Sequence, residues 1–170
     1  MHQKLYLGDF MSEQKTNAMR ILEKNNIEYM AHSYPHGKDA VDGETVASLM
    51  NQDPKKVFKT LVTKGSGGDY YVFVLPVLNE LDLKKAARSV GEKSVEMIHV
   101  KDILKVTGYI RGGCSPVGMK KTYKTTFHTT AANLDTIIVS AGKIGSQIEA
   151  SPASIIKITN GQLADIVKIN

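Results

Sequence analysis

Val57-Phe58-Lys59-Thr60-Leu61-Val62-Thr63, then Gly65-Ser66-Gly67-Gly68-Asp69, then Tyr70-Tyr71-Val72-Phe73-Val74-Leu75-Pro76-Val77-Leu78, form the most strongly patterned run in the chain. Two stretches rich in β-branched and aromatic residues flank a cluster of turn formers, which predicts an antiparallel hairpin. Upstream, Ala18, Ile21 and Leu22 predict a helix over 12–25, and the alternation of Ile27, Tyr29 and Ala31 predicts a strand over 27–34. Val46, Leu49 and Met50 predict a helix over 44–51, stopped by Asp53-Pro54. Downstream, the pattern predicts a helix over 81–90 with Gly91 as its stop, a short strand over 95–98 and a short helix over 101–106. Strands follow over 123–129, 136–140 and 147–150, and a helical C-terminal region begins at Pro152. The alternation is too irregular for repeating βαβ units. The expected fold is α+β: a single domain with a mixed, strongly curved, partly barrel-like sheet flanked by helices.

At 170 residues the chain fits one domain, and 42% hydrophobic with 23% charged residues is ordinary for a globular protein. No apolar run approaches the ~20 residues of a membrane helix, so no membrane partner is expected. The single cysteine, Cys114, rules out an internal disulfide and any multi-cysteine zinc site, and a lone thiol fits a reducing, cytoplasmic location. Among the five histidines only His32 and His36 stand at i, i+4 spacing, and Pro35 between them argues against a helix there. No metal or other cofactor is expected. The net charge of +5 admits a polyanionic partner, and equally a merely soluble basic protein. Residues 1–10 precede a second methionine, Met11, and read as an N-terminal extension to a domain over 11–170.

Three segments could carry chemistry. In the first, Lys59 shares a strand face with Val57 and Leu61; an ammonium there either snorkels from an edge or meets an anionic ligand, because burying it alone is costly. The second is Thr107-Gly108-Tyr109-Ile110-Arg111-Gly112-Gly113-Cys114-Ser115-Pro116-Val117-Gly118, whose exposed backbone N–H groups can bind an anion or an oxyanion, or simply form a wide turn. The third is Ile138-Val139-Ser140-Ala141-Gly142-Lys143, in which Ser140 lacks the Gly-x-Ser-x-Gly setting of a hydrolase nucleophile. Cys114 has no base placed beside it by sequence, so a loop-packing role competes with a nucleophilic one. Basic clusters at Lys84, Lys85 and Arg88 and at Lys120, Lys121 and Lys124 read as solvated faces or as contacts to nucleic acid.

Taken in order, Phe58-Lys59-Thr60-Leu61, Leu83-Lys84-Lys85-Ala86-Ala87, the glycine loop and Val139-Ser140-Ala141-Gly142-Lys143 resemble the YbaK family of aminoacyl-tRNA deacylases. That family is similar to the editing domain of bacterial prolyl-tRNA synthetases. The resemblance implies a pocket for the aminoacylated end of tRNA, with Lys59 holding the ester or terminal ribose and the Gly112 and Gly113 backbone positioning the carbonyl. Tyr34, Thr60, Ser115, Pro116, Ser140 and Gly142 would contact the substrate, and the two basic clusters would contact tRNA. Asp42-Gly43 stands where the family often has Phe-Gly. The resemblance further implies deacylation of Cys-tRNA(Pro) by attack of the cysteine's own sulfur, releasing a thiolactone, with prolyl-tRNA synthetase as a partner. Removal of alanine or another small residue by water, a non-catalytic tRNA- or synthetase-binding module, and a nucleotide-binding protein are the alternatives.

Overall fold

The computed structural model describes residues 15–169. The proposed extension 1–10 lies outside the described residues. Helix α1 (Asn17–Lys24) starts later than the spacing predicts, because the Thr16 hydroxyl caps it, accepting from the Met19 N–H at 3.2 Å. Its Ala18, Met19 and Leu22 are buried, and β1 (Tyr29–Ser33) follows. Asp42 caps α2 (Gly43–Leu49), accepting from the Thr45 N–H at 2.9 Å. The expected hairpin forms as β2 (Phe58–Gly65) and β3 (Tyr70–Pro76), with Lys59 opposite Leu75 and Thr60 opposite Val74.

Asp82 caps α3 (Leu83–Val90), which ends at Gly91, and β4 (Val95–Met97) leads into α4 (Val100–Thr107). After the glycine-rich loop come β5 (Lys124–His128), a 3-10 turn (Thr129–Asn133), β6 (Ile137–Lys143), β7 (Ser146–Ala150), α5 (Pro152–Ile158) and β8 (Gln162–Ala164). The 3-10 turn is not foreseen from sequence, and β8 lies where a helical region was expected.

Two sheets replace the single curved sheet. One is antiparallel, in the order β1-β7-β6; the other is mixed, in the order β4-β2-β3-β5-β8, with β3, β5 and β8 parallel. Neither closes into a barrel. Among the described residues they meet at one bridge, Val57 with Ile138, and the ladder does not continue past it. The main core fills the space between the sheets, where Leu22, Val72, Val74, Phe127, Val139 and Ile148 are buried. A second core, with Phe73, Leu75, Ala86, Ala87 and Ile166, lies between the other face of the mixed sheet and α3.

Candidate active site

The β2 edge is where the fold leaves room. On one side β2 pairs with β3 along its length; on the other, β4 covers only Thr63 to Gly65. Beyond β4 the Val62 carbonyl accepts from the Ile98 N–H at 3.2 Å, and at the opposite end the Lys56 carbonyl accepts from the Ile138 N–H at 2.9 Å. Because backbone groups alternate in direction along an antiparallel strand, and the Val57 carbonyl accepts from Val77 on the β3 side, the Thr60 N–H and carbonyl point to the uncovered side. A cavity of about 450 Å³ occupies this gap. Its walls come from the segment before α2 (Tyr34, Val41), from β4, α4 and the residues between them (Met97, Ile98, Val100, Ile103), from the glycine loop (Arg111, Gly112, Cys114) and from β6 and β7 (Ser140, Gln147).

Lys59 and Thr60 both line this cavity. Lys59 is half-buried, and burial lowers its pKa from the ordinary lysine value while the charges of Glu44 and Glu80 offset part of that effect. No hydrogen bond or ion pair holds its ammonium among the described residues. The Thr60 hydroxyl is more telling: among the described residues its oxygen is the one fully buried side-chain polar atom without a hydrogen-bond partner. An unmet hydroxyl costs about 1–3 kcal/mol, and in a cavity wall it is a group waiting for a ligand.

The glycine loop is fastened at both ends before it reaches the cavity. Thr107 is fully buried; its hydroxyl donates to the Ile103 carbonyl at 2.8 Å and accepts from the Tyr109 N–H at 3.0 Å. The Tyr109 hydroxyl spans the loop to the Val117 carbonyl. Gly112 has φ +82, and an added Cβ would lie 2.6 Å from the Ala40 Cβ. Gly113 sits against the β6–β7 turn, where a Cβ would meet the Lys143 Cα at 2.8 Å and the Ile144 N at 3.0 Å. The Gly113 N–H already donates to the Ile110 carbonyl at 3.0 Å, so it is turned into the loop; Gly112 lines the cavity and Gly113 does not. Ser140 stands at a register shift in the β6–β7 ladder, as bulges beside sites commonly do, and its oxygen accepts from the Gly142 N–H at 3.1 Å. That bond leaves the hydroxyl hydrogen available.

The structure therefore brings Tyr34, Lys59, Thr60, Gly112 and Ser140 together and leaves Gly113, Ser115, Pro116 and Gly142 outside the lining. Ser115 is fully buried, its oxygen accepting from the Val117 N–H at 3.2 Å, and shapes the loop from within. Of the basic clusters, Lys84, Arg88, Lys120, Lys121 and Lys124 are exposed and none lines the cavity. Lys85 is committed: its ammonium donates to Asp165 at 3.0 Å and to the Val167 carbonyl at 2.9 Å, tying down the C-terminal segment. Cys114 does line the cavity, but burial pushes its thiol up to about 11. Arg111 and Gln147 were not singled out from sequence. Arg111 is a cation directly before Gly112-Gly113, a signal that could have been read; Gln147 is the register partner of Ser140, legible only once β6 and β7 are paired as a hairpin. Among the described residues no group of three metal-ligating side chains gathers, and no helix is long and apolar enough to cross a membrane.

The family model for the aminoacyl-tRNA editing domain matches residues 37–158. EbsC of Enterococcus faecalis (strain ATCC 700802 / V583), provisionally named a Cys-tRNA(Pro)/Cys-tRNA(Cys) deacylase, is 47% identical over 155 residues, 91% of this chain and 94% of that protein. A proline–tRNA ligase of Thermosipho africanus (strain TCF52B) is 33% identical over 78 residues, which are 46% of this chain and 14% of the ligase. The crystal structure of a provisionally assigned trans-editing enzyme for prolyl-tRNA synthetase superposes with TM-score 0.76 over 91% of this chain and 99% of that one; at 22% identity this likeness speaks for the fold alone. The chain belongs to the aminoacyl-tRNA editing domain family and is an aminoacyl-tRNA deacylase.

Proposed function

We propose that this deacylase removes cysteine from proline tRNA in the cytoplasm, acting beside prolyl-tRNA synthetase, and that the substrate's own thiol is the nucleophile. The observation that carries the reading is one cavity holding the Lys59 ammonium and the Thr60 hydroxyl, neither with a partner among the described residues, together with the Gly112 loop and Ser140. The name given to EbsC supports the choice of cysteine, and the likeness to a segment of a proline–tRNA ligase supports the synthetase as partner.

In this reading the aminoacyl ester lies along the uncovered β2 edge. Its carbonyl oxygen takes hydrogen bonds from the outward Thr60 N–H and from Gly112, both fixed in the backbone before substrate arrives. Lys59 sits by the terminal ribose, where its charge favours negative charge developing on the leaving oxygen. Tyr34 walls the amino-acid side, and Ser140 donates its free hydrogen to the substrate. The cysteine sulfur bonds to the carbonyl carbon, the carbon–ribose oxygen bond breaks, and the thiol proton passes to that oxygen. The products are tRNA with a free terminal hydroxyl and cysteine thiolactone. An internal nucleophile brings an effective molarity of ~10⁵ M or more, so the protein need only fold the substrate and stabilise the oxyanion. Cys114, held as a neutral thiol, takes no part. Gly113, Ser115 and Pro116 hold the loop in shape, the exposed basic residues of both clusters meet tRNA phosphates, and residues 11–170 form the working domain.

The test compares Cys-, S-methyl-Cys-, Ala- and Ser-tRNA(Pro) under single-turnover conditions. Methylation of the sulfur should slow deacylation of the cysteine substrate by about 100-fold or more. Equal rates for the free and methylated thiol would replace internal attack by water.

A further inference from the structure

The outer face of α4 has a composition that the cavity alone does not explain. Val100 and Leu104 stand one turn apart and are 57% and 54% exposed, a costly placement for two aliphatic side chains on a single short helix. Lys101 and Lys105, also one turn apart and exposed, form the adjoining stripe. The Lys120 ammonium donates to the Lys105 carbonyl at 3.1 Å, adding a third positive charge at the C-terminal end of the helix. The acidic groups nearby are the half-buried Asp102 in the first turn and the exposed Glu96 on β4. The face is continuous with the site, since Val100 and Ile103 line the cavity.

We propose that this face of α4 is the docking surface for the unpaired 3′-terminal nucleotides of the tRNA, a deeper account of the site that rests on the deacylase reading above. The chemistry matches a single-stranded polyanion. Unstacked bases need apolar cover, which the Val100 and Leu104 stripe offers, and their phosphates need cations at helical spacing beside it, which Lys101, Lys105 and Lys120 supply. A base-paired stem would use the lysines and leave the aliphatic stripe wet. The single strand crosses α4 and delivers its terminal ribose to Lys59.

The experiment measures binding rather than turnover, so that it succeeds or fails independently of the deacylation chemistry. A labelled RNA hairpin with a short unpaired 3′ overhang is compared with the same hairpin made blunt, by fluorescence anisotropy. The overhang should tighten binding by about tenfold or more. Leu104→Ser should remove most of that advantage, and Lys105→Glu should weaken binding and lower the slope of log K against log salt by at least about 0.7. Lys157→Glu, an exposed lysine in the last turn of α5, has the same change in charge and should change neither. Equal affinity for blunt and overhanging hairpins, or equal loss in Lys157→Glu and Lys105→Glu, overturns the proposal. Loss of deacylation with overhang binding intact would instead count against the catalytic reading.

Discussion

At the scale of single residues, the site is marked by groups the fold treats badly. Among the described residues, Thr60 buries a hydroxyl oxygen without a partner, and Lys59 holds a half-buried ammonium with no carboxylate in contact. Thr60→Val deletes the unmet hydroxyl at nearly constant shape, so it should stabilise the protein by about 1 kcal/mol in denaturant unfolding while kcat/KM for deacylation falls. Lys59 follows the same logic with a pH signature. Its folded pKa lies below the ordinary lysine value, so at neutral pH the charged form is disfavoured by folding. Stability from this group rises as pH climbs through the lowered folded pKa toward the unfolded one. Lys59→Met, which keeps the aliphatic stem, should therefore raise Tm at pH 7, with the gain shrinking in alkaline solution. Cys114 is the opposite case: its thiol pKa of about 11 predicts slow alkylation by iodoacetamide at pH 8 and nearly full activity in Cys114→Ser.

At the scale of elements, the glycine loop and the β6–β7 turn are one unit. Gly113→Ala places a methyl against backbone atoms of Lys143 and Ile144, which cannot move aside as a side chain would. It should cost about 1–3 kcal/mol and lower activity by displacing Gly112 and Arg111, whereas an alanine at Gly37, where no described atom beyond its chain neighbours would lie within 4 Å of the new methyl, should do neither. The hairpin β2–β3 was legible because its turn residues and strand residues agree, and Lys59 was legible because a charge interrupts an apolar strand. β8 was not, because three residues after Gly161 are too few for alternation, and it forms only because β5 offers it a parallel edge. The position of the cavity was equally hidden. It depends on where β4 stops pairing with β2, a fact of register between strands some 30 residues apart that no local pattern encodes.

At the scale of the whole molecule, two sheets meet at one bridge and enclose the main core, while the C-terminal segment straps the second core against α3. The strap depends on His128, whose Nδ1 accepts from the Ile166 N–H at 3.3 Å and must be unprotonated to do so. Burial lowers its pKa, with Asp165 opposing and Lys85 reinforcing that shift. The unfolded chain thus takes up the proton first, and stability should fall as pH drops below about 6.5 through the lowered folded value. Urea midpoints at pH 7.5 and 5 should separate more in the native protein than in His128→Gln, which can still accept from Ile166.

The proposed chemistry requires that the aminoacyl ester be broken in the cavity at the β2 edge. Single-turnover deacylation of Cys-tRNA(Pro) by Lys59→Met, with folding checked by circular dichroism and thermal melting, tests it most directly. A folded, more stable variant whose deacylation rate falls by about 100-fold or more is the predicted result. A folded variant that deacylates at the native rate would contradict it.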